Sequence, residues 1–74
     1  MLQQIHEHKW AENGESYALL RNRGETVGWI VIGFAYPLDE ELTEFQVLDA
    51  VGTPLNTNAS SLGHAEEMLF EYYS

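Results

Sequence analysis

A chain of 74 residues without cysteine is one domain, too short for a second core, and its fold has no disulfide or thiolate metal site to hold it. Its hydrophobic content of 45% is too high for a disordered acidic tail, so the excess of acid does not argue against folding. The formal net charge of −9 comes from twelve acids against three bases; it sets the protein against nucleic acid and anionic membrane surfaces and in favour of basic ones.

In chain order, Gln4 to Trp10 reads as a first strand anchored by Ile5 and Trp10. Asn13-Gly14 predicts a type I′ hairpin turn, because both residues tolerate positive φ, and it joins this strand to a second over Ser16–Arg21. Tyr17 and Leu19 share one face of the second strand, and Ala18 and Leu20 the other. Asn22-Arg23-Gly24-Glu25 is a further tight turn.

The apolar run Val27-Gly28-Trp29-Ile30-Val31-Ile32-Gly33-Phe34 follows, too short for a membrane span and rich in β-branched and aromatic residues. It is expected as the central strand, with Val27, Trp29 and Val31 on one face and Ile30, Ile32 and Phe34 on the other. Pro37 closes it, since proline cannot donate to a ladder. Leu38 to Thr43 forms an acidic connector with room for one helical turn.

Phe45, Val47 and Val51 alternate as a fourth strand, interrupted by Asp49, with Leu48 on its other face. Gly52-Thr53-Pro54 turns the chain, and the polar stretch from Asn56 to Ser61 reads as loop ending in a helix N-cap at Ser61. From Leu62 onward, Leu62, Ala65, Met68, Leu69 and Tyr72 fall on one side of a helical wheel, with Tyr73 at its edge and His64, Glu67 and Glu71 opposite. The expected architecture is therefore α+β: an antiparallel sheet of three to four strands with one C-terminal helix packed on one face, in the order ββββα, as a single domain over residues 1–74. One helix covers only one face of a sheet whose central strand is apolar on both; a second copy of the chain, the N-terminal segment or a partner protein would cover the other.

Chemistry-bearing constellations are few. His6-x-His8 places two imidazoles on one strand face, and His64 could complete a metal site, but the commoner reading of such histidines is a solvated one. His64, Glu67 and Glu71 share a helix face that solvation explains equally well. Asp39-Glu40-Glu41 with Glu44 lacks the alternating ligands and the glycine of a calcium loop. No phosphate-binding glycine loop or nucleophile elbow occurs, so neither catalysis nor a cofactor is expected. Trp10, Trp29, Tyr36, Phe70, Tyr72 and Tyr73 would need a basic groove to serve as a stacking platform for single strands, and the field of this chain is acidic.

Charge is the most informative feature. Lys9, Arg21 and Arg23 all lie in the first third, and from Leu38 to Ser74 no base offsets Asp39, Glu40, Glu41, Glu44, Asp49, Glu66, Glu67 and Glu71. The expected function is a non-catalytic acidic binding protein that occupies a basic, nucleic-acid-binding surface of a partner protein, its carboxylates standing in for phosphates. Asp39, Glu40, Glu41, Glu44, Glu66, Glu67 and Glu71 are the candidate contacts, with Tyr36 and Tyr73 as apolar anchors. In size, acidity and lack of enzyme motifs, though in no motif of its own, the chain resembles the phage inhibitors of host defence, including anti-CRISPR and anti-restriction proteins. The alternative is a structural or assembly module that pairs as a homodimer, with acidity serving solubility alone. No signal peptide or membrane span is read in the sequence, which suits the cytoplasm.

Overall fold

The computed structural model describes residues 8–73. Strands β1 (His8–Asn13), β2 (Ser16–Asn22), β3 (Trp29–Pro37), β4 (Phe45–Asp49) and β5 (Pro54–Ala59) precede helix α1 (Leu62–Tyr72). All neighbours in the sheet are antiparallel and follow sequence order, β1-β2-β3-β4-β5. The class is α+β as expected, with five strands where the sequence suggested three to four.

The hairpin of β1 and β2 forms one residue later than the Asn-Gly reading implies. Asn13 pairs with Ser16, so Gly14 and Glu15 are the two loop residues. Gly14 has φ 67°, and no non-glycine residue near it has positive φ, the requirement of a type II′ loop rather than I′. The portion of the expected first strand before His8 lies outside the described residues.

Strand β3 departs from the alternation in its sequence. It begins at Trp29, while Val27 sits in the preceding loop, 61% exposed. Leu19 pairs with Gly33 but Leu20 pairs with Val31, leaving Ile32 as a bulge residue. The bulge resets the faces: Trp29 and Val31 share a side with Phe34 and Tyr36, whereas Gly33 and Ala35 face the helix and Ile32 packs on the core.

Strand β4 ends at Asp49, and Val51, expected within it, is 85% exposed in the turn. The polar stretch expected as loop is instead β5, an edge strand that Ala59 pins by pairing with Phe45. Ser61 caps α1 as expected, its Oγ accepting from the His64 N–H at 3.1 Å. The helix lies on β3, β4 and β5, and the closed core consists of Leu19, Ala35, Phe45, Val47, Ala59, Ala65 and Leu69. Ala65 and Leu69 are fully buried, with Leu62 and Met68 against them, which matches the wheel.

Candidate functional site

The meander fixes two ends of the sheet. The Gly14-Glu15 turn, the connector from Leu38 to Glu44 and the start of α1 share one end; the loop of residues 23–28, the turn of residues 50–53 and the end of α1 share the other. The bases, though not the acids, are confined along this axis, since Glu25, Asp49 and Glu71 also stand at the second end. Glu15, Asp39, Glu40, Glu41 and Glu44 stand at the first end, and Lys9, Arg21 and Arg23 at or near the second, because the β1–β2 register puts His8 opposite Arg21 and Lys9 opposite Leu20.

The acidic end is shaped by local hydrogen bonds. Asp39 folds the connector by accepting from the Thr43 N–H at 2.9 Å and from the Thr43 hydroxyl, and these two contacts hold its carboxyl below the ordinary carboxylate value. Leu42 takes φ 58° there, so the connector is a turn and not the helical turn for which the sequence left room. Glu44 accepts from the Asn58 side chain at 2.9 Å, and Tyr36 donates its hydroxyl to Glu15 at 2.9 Å, which raises the phenol pKa. Glu40 and Glu41 are exposed, and exposed Tyr36, Leu38 and Leu42 lie among these acids.

The remaining candidate contacts are elsewhere. Glu66, Glu67 and Glu71 ride on α1, with Glu67 and Glu71 exposed and Glu66 half-buried. Tyr73 is at the opposite end from Tyr36, where its hydroxyl accepts from the Ala50 N–H at 2.9 Å and its ring meets Tyr72 edge-on at 4.9 Å. Asp39, Glu40, Glu41, Glu44 and Tyr36 thus lie together at one end; Glu71 and Tyr73 lie at the other, with Glu66 and Glu67 between them on the helix.

The two described histidines do not converge, and His6 lies outside the described residues. His8 lies against Phe70, ring centroids 4.6 Å apart and tilted by 57°, while His64 accepts the Ser60 N–H at 3.1 Å at the other end of the helix. Those helix positions are six residues, or about 9 Å, apart along the axis. Among the described residues no three His, Asp or Glu side chains gather as metal ligands.

Asp49 is the buried carboxylate, 7% exposed, and its role is structural. One oxygen accepts the Val51 and Thr53 N–H groups at 3.0 and 2.9 Å; the other accepts the Tyr72 hydroxyl at 3.1 Å. The Thr53 bond is the largest of the causes that lower its pKa, outweighing the burial that would raise it. The carboxylate ties the β4–β5 turn to the end of α1.

Two features had weaker signals in the sequence. The sheet face opposite the helix presents Leu20, Trp29, Val31, Phe34, Tyr36 and Leu48, and Lys9 lies over the Trp29 ring with Nζ 4.4 Å from its centroid. Trp29, Val31 and Tyr36 are each about 40% exposed on this face. The second feature is a cleft of about 520 Å³ at the basic end, with Arg21, Arg23 and His8 at its walls and Ile30, Ile32 and Phe70 among its apolar lining. The placement of every base before residue 24 was the available signal for it; the hairpin register turns that clustering in sequence into clustering in space. Among the described residues no helix is long and apolar enough to cross a membrane. Comparisons with known protein families, with curated proteins and with solved structures find no match to this chain.

Proposed function

We propose that the protein is a non-catalytic binding protein whose acidic end occupies a basic, nucleic-acid-binding surface of a partner protein, as small phage inhibitors of host defence do, working in the cytoplasm. The observation that carries this reading is the grouping of Glu15, Asp39, Glu40, Glu41 and Glu44 around exposed Tyr36, Leu38 and Leu42, with Lys9, Arg21 and Arg23 away from that end. Carboxylates steer a basic partner into encounter and the apolar side chains supply the contact that charge alone does not, since exposed ion pairs contribute little each. Asp39 and Glu44 are held by bonds within the chain, so Glu40 and Glu41 are the carboxylates best placed to be shared with a partner. Glu66, Glu67 and Glu71 extend the negative field along the helix without belonging to the same contact.

The test is capture from a host lysate at low and high salt by the parent and by the Glu40→Gln/Glu41→Gln/Glu44→Gln variant. The expected outcome is a partner retained at low salt, released at high salt and lost by the variant; retention by the variant, insensitive to salt, removes the proposal.

The second reading, a homodimer, is favoured by one observation: the apolar sheet face that carries Trp29, Val31 and Phe34 has no helix over it among the described residues. A monomeric mass at high protein concentration would exclude it.

A further inference from the structure

We propose that the cleft at the basic end binds a small organic anion with an apolar tail, the carboxylate or sulfonate head held by Arg21 and Arg23 and the tail laid on Ile30, Ile32 and Phe70. This site is separate from the acidic end and does not depend on the function assigned there.

The first support is the composition of the cleft. The protein has three bases in 74 residues, and two of them, both arginines, line one cleft together with His8. They are two residues apart, at the end of β2 and the start of the loop after it, so the chain itself delivers both to this end. Arginine presents a planar fork of donors matched to carboxylate and sulfonate oxygens, and it does so with less loss of hydration than lysine.

The second support is a donor without an acceptor. The Nε of Arg21 is buried and has no hydrogen-bond partner among the described residues. Buried donors are nearly always satisfied, and although this nitrogen is itself closed to solvent, the guanidinium that carries it lines the cleft, where its other N–H groups would meet an anion. Arg23 is exposed at the rim, so the pair offers one donor set inside and one at the mouth.

The third support is the floor. Ile30 shares this side with its partner Arg21, Ile32 reaches it through the bulge in β3, and Phe70 comes from the last turns of α1, its ring tilted against His8. The volume of about 520 Å³ lies within the usual range for small-molecule sites, which are mostly apolar with a few polar groups that fix orientation.

A structural role for the arginines is the competing account, because the end of α1 carries a partial negative charge that cations stabilise. That charge is only about half an elementary unit and fades within a turn, and the last carbonyls of α1 already accept from the Tyr73 N–H. Two full positive charges exceed it; Glu25, Asp49 and Glu71 also stand at this end, so the attraction for an anion rests on the arginine forks at short range and not on a net positive field.

The experiment is a titration of the full chain followed through its amide resonances, with sodium octanoate, octan-1-ol and inorganic phosphate as separate probes. Octanoate should move the resonances of Arg21, Arg23, Ile32 and Phe70 and bind at least about tenfold more tightly than either octanol or phosphate, the usual worth of one charge-assisted hydrogen bond. Arg23→Gln, a change at an exposed position, should weaken octanoate about tenfold with the rest of the spectrum unmoved, and Arg21→Gln should weaken it further. Equal binding of octanoate and octanol, equal binding of octanoate and phosphate, or shifts centred on Trp29, Phe34 and Leu48 would each overturn the proposal.

Discussion

Gly33 is where the helix comes closest to the sheet, and substituting it measures how much of the fold rests on that approach. A Cβ at this position would stand 2.6 Å from Leu69 Cδ2, closer still to Cδ1, and 2.9 Å from the carbonyl oxygen of Leu48. Leu69 is fully buried and the Leu48 carbonyl belongs to the backbone of β4, so neither can withdraw freely. Overpacking of this kind costs about 1 to 3 kcal/mol. Against it stands the usual gain from replacing glycine in a strand, about 0.5 to 1 kcal/mol, which arises largely in the unfolded chain. Gly33→Ala is therefore expected to lose about 1 to 2 kcal/mol, read as a fall in the urea midpoint of about 1 to 2 M for a domain of this size. Leu69→Val withdraws both Cδ atoms, so in that background the penalty for Gly33→Ala should shrink by at least about 0.5 kcal/mol, a coupling that a double-mutant cycle resolves. Gly63→Ala is the control of opposite sign: only Ser61 Oγ, at 3.8 Å, comes near a Cβ there, and the helix should gain up to about 1 kcal/mol. An unchanged or raised midpoint for Gly33→Ala, or no coupling to Leu69, would refute the account of how α1 seats on β3.

The other predictions concern charge. Asp39 and Asp49 both have folded pKa values below their ordinary ones, so each contributes stability that is complete above the unfolded value, near pH 4, and is lost as pH falls through the folded value. Thermal melting followed against pH should decline below about pH 4, and Asp49→Asn, which keeps an acceptor for Val51 and Thr53, should flatten part of that decline. Tyr72 has the reverse sign: its folded pKa is raised, so stability holds below pH 10 and falls as pH rises toward the folded value, a limb that Tyr72→Phe should weaken. The Glu40→Gln/Glu41→Gln/Glu44→Gln variant is expected to melt no lower than the parent, since it relieves repulsion in an already negative chain, and a lower melting temperature would assign those acids to the fold instead of to a partner.

What the sequence disclosed depended on whether local chemistry or pairing decided the outcome. Ser61 and the apolar side of α1 were legible because capping and a period of 3.6 are properties of the segment itself. The end of β3 at Pro37 was legible for the same reason. Strand β5 was not, because Pro54-Leu55-Asn56-Thr57-Asn58-Ala59 lacks apolar alternation and has Thr57 as its one β-branched residue; it is held as a strand by the ladder that β4 offers, with Ala59 opposite Phe45. The faces of β3 were misread because a bulge at Ile32 leaves no mark in an unbroken apolar run, and one extra residue exchanges the sides of everything beyond it. Of the candidate contacts, the acids of the connector were bound to stay together by their proximity in sequence. The basic cleft required the register of β1 on β2, which the sequence suggested through its hairpin turn but did not locate.

Whether the two ends can act separately is a question of distance against screening. Strand β3 spans nine residues, so the ends stand about 30 Å apart, whereas the screening length at physiological salt is about 8 Å. An anion at the cleft therefore meets Arg21 and Arg23 and very little of the carboxylates on the connector; the acids at its own end are Glu25, Asp49 and Glu71. A basic partner at the acidic end is likewise blind to the arginines. The helix contributes to this segregation, because its positive end lies toward the acids and its negative end toward the bases, each worth about 0.3 to 1 kcal/mol for a charge within the adjacent turn. That favours bases at the second end, although Glu25, Asp49 and Glu71 stand there too. It does not account for twelve acids against three bases, because a dipole is satisfied by one or two charges and the rest only repel one another. The surplus acid thus carries a cost to the folded chain that the fold itself does not offset, and a basic partner surface is the counterpart that would.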